Sequence, residues 1–293
     1  MIGPLFITGH GGLAGSALLR AAAEREILTA SRAELDLRNA DLVSSFLAQH
    51  RPCAIIHAAA RNAGIALHEA EPAALLADNL AIAINVIRAA AEARVPRLLY
   101  ISSAAVYAAG PTAGYALAKI AGMALCDAVR TQYRLTFHSI IPCNLYGPGD
   151  KYDPQYATVV AGMMRRMHEA AQSRSPQLSI WGTGKQTREF LHADDLAAAC
   201  LLLLNNPDPP PRVNCGPGLS TTILDLAVHL KAVTGYPGTL VTDPSKPEGT
   251  PRPPLDCTFL RNLGWTPRIA LPEGLAETYA AFKAAILAGT LRG

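Results

Sequence analysis

The chain of 293 residues predicts an α/β protein, a doubly wound parallel Rossmann sheet joined to a smaller α/β lobe. Three observations carry that prediction. Short apolar runs alternate with helix-period segments from the start, a glycine-spaced turn joins the first run to the first helix, and the pattern loosens after Pro142 into the turn-rich stretch N-L-Y-G-P-G-D. With 50% hydrophobic and 17% charged residues, the chain has apolar material for a sizeable core and is neither disordered nor fibrous.

In order, L-F-I-T at 5–8 reads as the first strand and 13–25 as its helix. Further strands are expected at 27–30, 53–57, 97–102 and 137–141, with helices at 40–50, 72–93 and 115–133 between them. In the helix from Pro72, Leu75, Leu76, Asn79, Leu80, Ile82, Ala83, Val86 and Ile87 recur at helical spacing and alanine fills most other positions. Such a helix should be covered on two sides. The loosening near 148 divides the chain into a dinucleotide-binding domain, 1–148, and a substrate lobe, 149–293, with the stretch near 192–215 returning to the first. In that lobe helices are expected at 156–171, 194–204, 222–234 and 271–288, and strands near 178–181 and 189–191. The tract 207–211 reads as a stiff link and 244–254 as a Pro-rich loop.

Composition excludes several function classes. Lys plus Arg number 26 against 23 Asp plus Glu, a net charge of +3, and no basic block carries interleaved aromatics, so nucleic acid is not an expected partner. The apolar stretch 196–204 is about half a membrane span, and residues 1–8 have no basic region before their apolar run, so neither a membrane nor a signal peptide is expected. The six cysteines are scattered without a C-x-x-C pair, which predicts no disulfide framework, no bound metal and a reducing cytoplasm.

T-G-H-G-G-L-A-G at 8–15 places Gly9, Gly12 and Gly15 where a pyrophosphate requires them. The first permits the turn, the second admits the phosphates to the backbone, and the third lets helix and strand pack closely. At the end of the second run, T-A-S-R at 29–32 offers no carboxylate for a ribose 2′-hydroxyl and presents Ser31 and Arg32 instead. An arginine there suits a 2′-phosphate, so the expected cofactor is NADP (NADPH). In Y-A-L-A-K at 115–119 a phenol and an ammonium share one helix face, and Ser102 and Ser103 end the preceding strand. Ser103, Tyr115 and Lys119 can therefore converge beside a nicotinamide: Lys119 lowers the phenol's pKa, Tyr115 exchanges a proton with a carbonyl or alkoxide oxygen, and Ser103 holds that oxygen. This is the chemistry of hydride transfer to a ketone.

These residues resemble the extended short-chain dehydrogenase/reductase (NAD-dependent epimerase/dehydratase) family, and within it the GDP-L-fucose synthase branch. The resemblance runs over almost the whole chain, through R-A-E-L-D-L at 32–37, H-A-A-A-R-N-A-G-I at 57–65, Y-A-L-A-K-I-A-G at 115–122, P-C-N-L-Y-G-P at 142–148, W-G-T-G-K-Q-T-R-E-F-L-H-A-D-D at 181–195 and K-P-E-G-T-P-R at 246–252. It implies a Ser103, Tyr115 and Lys119 triad and cofactor contacts from Leu13, Asp36, Leu37, Ala58, Ala59, Ala60, Lys119, Pro142, Asn144 and Leu145. It implies substrate contacts from Asn144, Arg166, Trp181, Arg188 and Lys246, a GDP-linked 4-keto sugar as partner, and a homodimer paired through the helices from Pro72 and Tyr115.

The branch also inverts two carbons beside the ketone, using a cysteine and a histidine, and aligning the flanking motifs puts Ala105 and Thr158 at those positions. Alanine carries no proton, and a threonine hydroxyl is too weak an acid or base unless activated. Cys143 and Asp153 are nearby candidates to replace them. The segment 107–115 is also shorter than the branch's loop, which should open the site. The expectation is an NADPH-dependent C4 ketoreductase without the epimerase pair. A bifunctional fucose synthase-type enzyme, an NAD-retaining nucleotide-sugar 4-epimerase and an NADP-sensing binding protein are the alternatives.

Overall fold

The computed structural model describes residues 3–62, 64–110, 113–246 and 253–292. Positions 247–252 of the K-P-E-G-T-P-R motif, Ala63 of the motif at 57–65, and Pro111 and Thr112 of the short loop lie outside them. The first half runs β1 (Leu5–Thr8), α1 (Leu13–Ala21), β2 (Ile27–Leu28), α2 (Ala40–His50), β3 (Ala54–His57), α3 (Ile65–Ala70), α4 (Pro72–Glu92), β4 (Arg97–Ile101), α5 (Gly114–Tyr133) and β5 (Thr136–Pro142). It continues with β6 (Asn144–Tyr146), α6 (Val159–Gln172), β7 (Gln177–Trp181), β8 (Thr187–Arg188), β9 (Phe190–His192), α7 (Ala193–Asn205), β10 (Arg212–Cys215), β11 (Thr221–Thr222), α8 (Ile223–Thr234), β12 (Thr239–Asp243), α9 (Thr258–Asn262) and α10 (Leu271–Leu287).

β10, β5, β4, β3, β1 and β2 form one sheet in that order, and every pairing in it is parallel. The chain moves outward from β1 to β2 and then returns to the other side of β1, so the switch point lies between β1 and β3, where such sheets open a crevice at their carboxyl ends. The sixth strand, β10, was not legible: R-V-N-C has one alternation of apolar and polar residues and follows a proline run. It forms because β5 offers a pairing edge, with Val213 opposite Ile140 and Cys215 opposite Pro142.

Strand periodicity sorts the core into two layers. Leu5 and Ile7 join Leu18 of α1 and Leu196, Cys200 and Leu203 of α7 on one face. Phe6 and Ile55 join Val43 of α2, Val86 and Ile87 of α4 and Met123 of α5 on the other. α7 thus crosses back onto the first sheet, and so, unexpectedly, does the segment carrying Leu260 and Trp265. α4 is long and apolar enough by composition to cross a membrane. It lies instead between α2 and α5, with Leu75, Ala83, Val86 and Ile87 buried. A third apolar cluster gathers Met163, Met164 and Met167 of α6, Leu226 and Leu230 of α8, and Leu275 and Phe282 of α10.

The H-A-D-D segment ties these layers together. The His192 ring accepts the Asp194 N–H at 3.3 Å and caps α7, Asp194 accepts from Arg20 of α1 at 2.6 Å, and the Asp195 carboxylate accepts the N–H groups of Arg268 at 2.9 Å and Ile269 at 3.1 Å. A residue capping a helix amino terminus supplies an acceptor to otherwise unpaired amides.

Candidate active site

The cofactor crevice is built from backbone. Gly9 adopts φ 67°, and a Cβ there would stand 2.7 Å from the Ala59 backbone at the end of β3. A Cβ on Gly15 would fall 2.1 Å from the Gly9 carbonyl oxygen. Both glycines are therefore required for the turn to close onto β3 and onto the first turn of α1. Gly12 is the N-cap of α1, no side chain caps that end, and its first turn holds no acidic residue. The unpaired amides and the positive end of the helix dipole leave a fitting cradle for a pyrophosphate, with Leu13 opening the helix. Thr8 Oγ1 accepts the Ala59 N–H at 3.2 Å and pairs with His57 Nδ1 at 2.7 Å, which locks β1 to β3 beneath the cradle. Sequence reasoning missed this pair, because a Thr and a His in apolar runs announce nothing of each other.

Beyond β2, Ser31 and Arg32 are exposed. T-A-S-R itself holds no carboxylate, and the first one past it is that of Glu34. Glu34 folds back to accept the Ser31 N–H at 2.7 Å, and Ser31 Oγ accepts the Glu34 N–H at 3.4 Å, a reciprocal capping box. The sequence signature of this turn is S-R-A-E at 31–34. Asp36 is held by Arg38, whose Nη2 donates at 2.7 Å, and these hydrogen bonds bring its carboxyl down to about 2. Leu37 is half-buried, and its carbonyl accepts from Asn85 at 3.0 Å. Ala58 and Ala59 are half-buried and Ala60 is exposed, directly after β3.

At the carboxyl end of β4, Ser103 is the N-cap of the short helical turn Ala104–Ala108, and its Oγ accepts the Ala105 N–H at 3.2 Å. Ser103 also hydrogen-bonds the Tyr115 phenol. Lys119 lies one turn along α5, its Nζ donating to the Ile101 carbonyl at 2.6 Å and standing 5.7 Å from the centre of the Tyr115 ring and 4.6 Å from that of Tyr100. The fold thus brings the three residues together, each from a different part of the β4–α5 unit.

Their protonation differs from expectation. Burial pushes Tyr115 up to about 12, against the opposing Ser103 hydrogen bond, and burial alone brings Lys119 down to about 7. The expected lowering of the phenol by the ammonium is absent, because desolvation acts on both groups and penalises both charged forms. Burial and the nearby Lys119 charge also lower His57 to about 3. A phenol that keeps its proton at neutral pH is in the form needed to protonate a ketone oxygen. Pro142 is buried, and Asn144 and Leu145, half-buried at the start of β6, pair with Phe190 and Leu191 of β9.

Two of the expected substrate residues meet directly: the Arg166 guanidinium lies 6.0 Å from the Trp181 ring centre and donates to the Ser179 carbonyl at 3.1 Å. Lys246, exposed, follows β12, whose Asp243 is in register with Trp181. Arg188 sits on a separate ladder, β8–β11, with Nη1 donating to the Thr187 carbonyl at 2.7 Å. Its neighbour Glu189 is buried and binds the N–H groups of Gly218 at 2.9 Å and Leu255 at 2.7 Å.

Neither expected replacement acid or base is poised. Cys143 is buried in the apolar layer, which raises its thiol pKa, and the Asp153 carboxylate accepts the N–H groups of Gln155 and Tyr156. Thr158 instead donates to Asp150 Oδ2 at 3.4 Å, and burial pushes that carboxyl up to about 6. Among the described residues His192, Asp194 and Glu277 bring ligand atoms within 4.8 Å of one another. The helix cap and the Arg20 ion pair already occupy two of them.

A glycine turn at the switch point, a serine, tyrosine and lysine assembled at its open end, and a side lobe with exposed cationic and aromatic groups define an extended short-chain dehydrogenase/reductase. The sequence profile of the NAD dependent epimerase/dehydratase family matches residues 5–216, and the chain belongs to that family. It is 41% identical over 295 residues to GDP-L-fucose synthase 1 of Arabidopsis thaliana, covering 94% of this chain and 91% of that protein. It is 38% identical over 307 residues to the GDP-L-fucose synthase of Escherichia coli (strain K12), covering 95% and 96%. Among solved structures, MlghC, a GDP-mannoheptose C4 reductase from Campylobacter jejuni with NADP bound, is 27% identical with a TM-score of 0.84 over 96% of this chain and 98% of that one. The chain is an NADP(H)-dependent oxidoreductase.

Proposed function

We propose that the chain reduces C4 of a GDP-linked 4-keto sugar with NADPH and does not epimerise the neighbouring carbons. The observation that carries this is the assembled Ser103, Tyr115 and Lys119 beside a site whose proton-transfer positions for epimerisation hold Ala105 and Thr158. The similarity to GDP-L-fucose synthases and to a GDP-mannoheptose C4 reductase supports the nucleotide and the reducing direction. The α1 cradle and Arg32 would hold NADPH, which would supply the hydride when bound. Ser103 holds the ketone oxygen by a hydrogen bond, Tyr115 donates the proton to that oxygen, and Lys119 orients the phenol from the Ile101 carbonyl. Arg166 and Lys246 neutralise the diphosphate while Trp181 lies against an apolar sugar or base face. We extend the proposal to a homodimer paired through α4 and α5, on which Ile84 and Ile120 remain exposed, a pairing that light scattering checks.

The bifunctional reading keeps one support: Thr158 is bonded to a buried carboxyl, Asp150, that titrates at about 6. Reduction of GDP-4-keto sugars in D₂O with unlabelled NADPH decides between the two. A product without enzyme-dependent deuterium at C3 or C5, its configuration there unchanged, supports the reductase. Deuterium that disappears in Asp150→Asn supports the bifunctional enzyme and overturns the reductase-only proposal.

A further inference from the structure

The short helix α3 joins the triad to the second lobe. At its N-cap the Gly64 N–H donates to the Tyr156 carbonyl at 2.5 Å, and a Cβ on Gly64 would collide with the Ala157 carbonyl. The start of α3 is therefore pressed on the segment that leads into Thr158 and α6. Past its other end α4 begins, and a Cβ on Gly114, the residue before Tyr115, would collide with the Pro72 carbonyl. Between these two close approaches His68 meets Tyr115 edge-on, with 5.5 Å between ring centres and 67° between planes. His68 is half-buried, and its Nε2 donates to Oδ1 of exposed Asn62 at 2.9 Å. The backbone that carries Asn62 is itself fixed. Buried Asn79 accepts the Arg61 N–H at 2.8 Å and donates to the Arg61 carbonyl at 2.9 Å, and the Arg61 guanidinium pairs with Glu71 at the α3–α4 junction. An imidazole and an amide are thus held in place beside Tyr115, and no step of C4 reduction uses them.

A sugar whose C4 oxygen rests on Tyr115 and Ser103 brings its flanking carbons beside the Tyr115 ring. C5 carries the ring oxygen and the exocyclic carbon, and C3 alone carries a hydroxyl, a group that both donates and accepts. We propose that His68, held by Asn62, hydrogen-bonds the C3 hydroxyl of the 4-keto sugar and makes the chain prefer sugars that retain it. The inference rests on the C4-reductase reading and adds a specificity-determining residue to it.

NADPH oxidation with GDP-4-keto-6-deoxymannose and with its 3-deoxy counterpart tests this. In the unaltered chain kcat/KM should favour the 3-hydroxy sugar by roughly three- to tenfold, about one hydrogen bond between uncharged groups. His68→Ala should abolish that preference through a loss on the 3-hydroxy sugar alone, with NADPH affinity by fluorescence titration unchanged. His68→Asn, which keeps a short side-chain donor and acceptor, should restore part of it. An equal loss on both sugars makes His68 a packing partner of the Tyr115 ring only and overturns the proposal, as does an unaltered chain without preference. Enzyme-dependent deuterium at C3 in D₂O that vanishes in His68→Ala makes the imidazole a base at that carbon and overturns it too. If the unaltered chain oxidises NADPH with neither sugar, the reductase reading itself fails and the inference falls with it.

Discussion

The carboxyl end of β4 and the rim formed by α6, β7 and β12 are built on opposite terms. Tyr115 and Lys119 are buried, at 6% and 3% exposure, and desolvation pushes the phenol up to about 12 and the ammonium down to about 7. Trp181 is 48% exposed, Lys246 is exposed and half-buried Arg166 bridges toward the ring. In the first region a single proton is controlled by burial, so each residue is decisive. At the rim water screens Lys246, burial only partly desolvates Arg166, and recognition is divided among several weaker contacts.

The largest expected effect is in the buried region. Tyr115→Phe keeps the ring and removes the proton donor, so kcat for ketone reduction should fall at least about a hundredfold with little change in NADPH affinity. Near-normal turnover would remove Tyr115 from the chemistry and break the contrast.

The next effect lies in stability. Folded Lys119 gives up its proton near pH 7 while the unfolded chain holds it to the ordinary 10.5, so the unfolded state binds more protons between those values. Wild-type stability should therefore rise with pH across that window, and its cost is greatest below pH 7. Lys119→Met lacks this contribution. The difference in Tm, variant minus wild type, should fall by several degrees as pH goes from 6.5 to 10, at roughly 2–4 °C per kcal/mol for a chain of this order. Parallel Tm curves would mean that the ammonium is solvated after all.

The smallest effects belong to the rim. Arg166→Ala and Lys246→Ala should each raise KM for the nucleotide sugar by roughly three- to tenfold, about one charged hydrogen bond at a solvated site, and leave NADPH affinity unchanged. An effect on the cofactor instead would assign these residues to the first lobe. A loss of a hundredfold or more would show that the rim closes over the sugar and is as desolvated as the triad.

Much of this architecture is determined locally and was legible in the chain. Strand and helix periods in the first half, the need for Gly9 and Gly15, and the Tyr115–Lys119 spacing follow from backbone sterics and from which side chains share a face. What tertiary structure decided are the interactions whose partners are distant in sequence. β10 exists because β5 offers an edge, and Trp265 joins the first core because Asp195 holds the loop before α10. Thr8 pairs with His57 across 49 residues, and Thr158 reaches Asp150 only once the loop after β6 is folded beneath α6. The pKa values of Tyr115 and Lys119 belong to the same class: their spacing placed them together, but the depth of burial set their proton affinities. Burial is a property of the whole packed chain, so no local pattern could have announced that desolvation would outweigh the charge of the neighbouring ammonium.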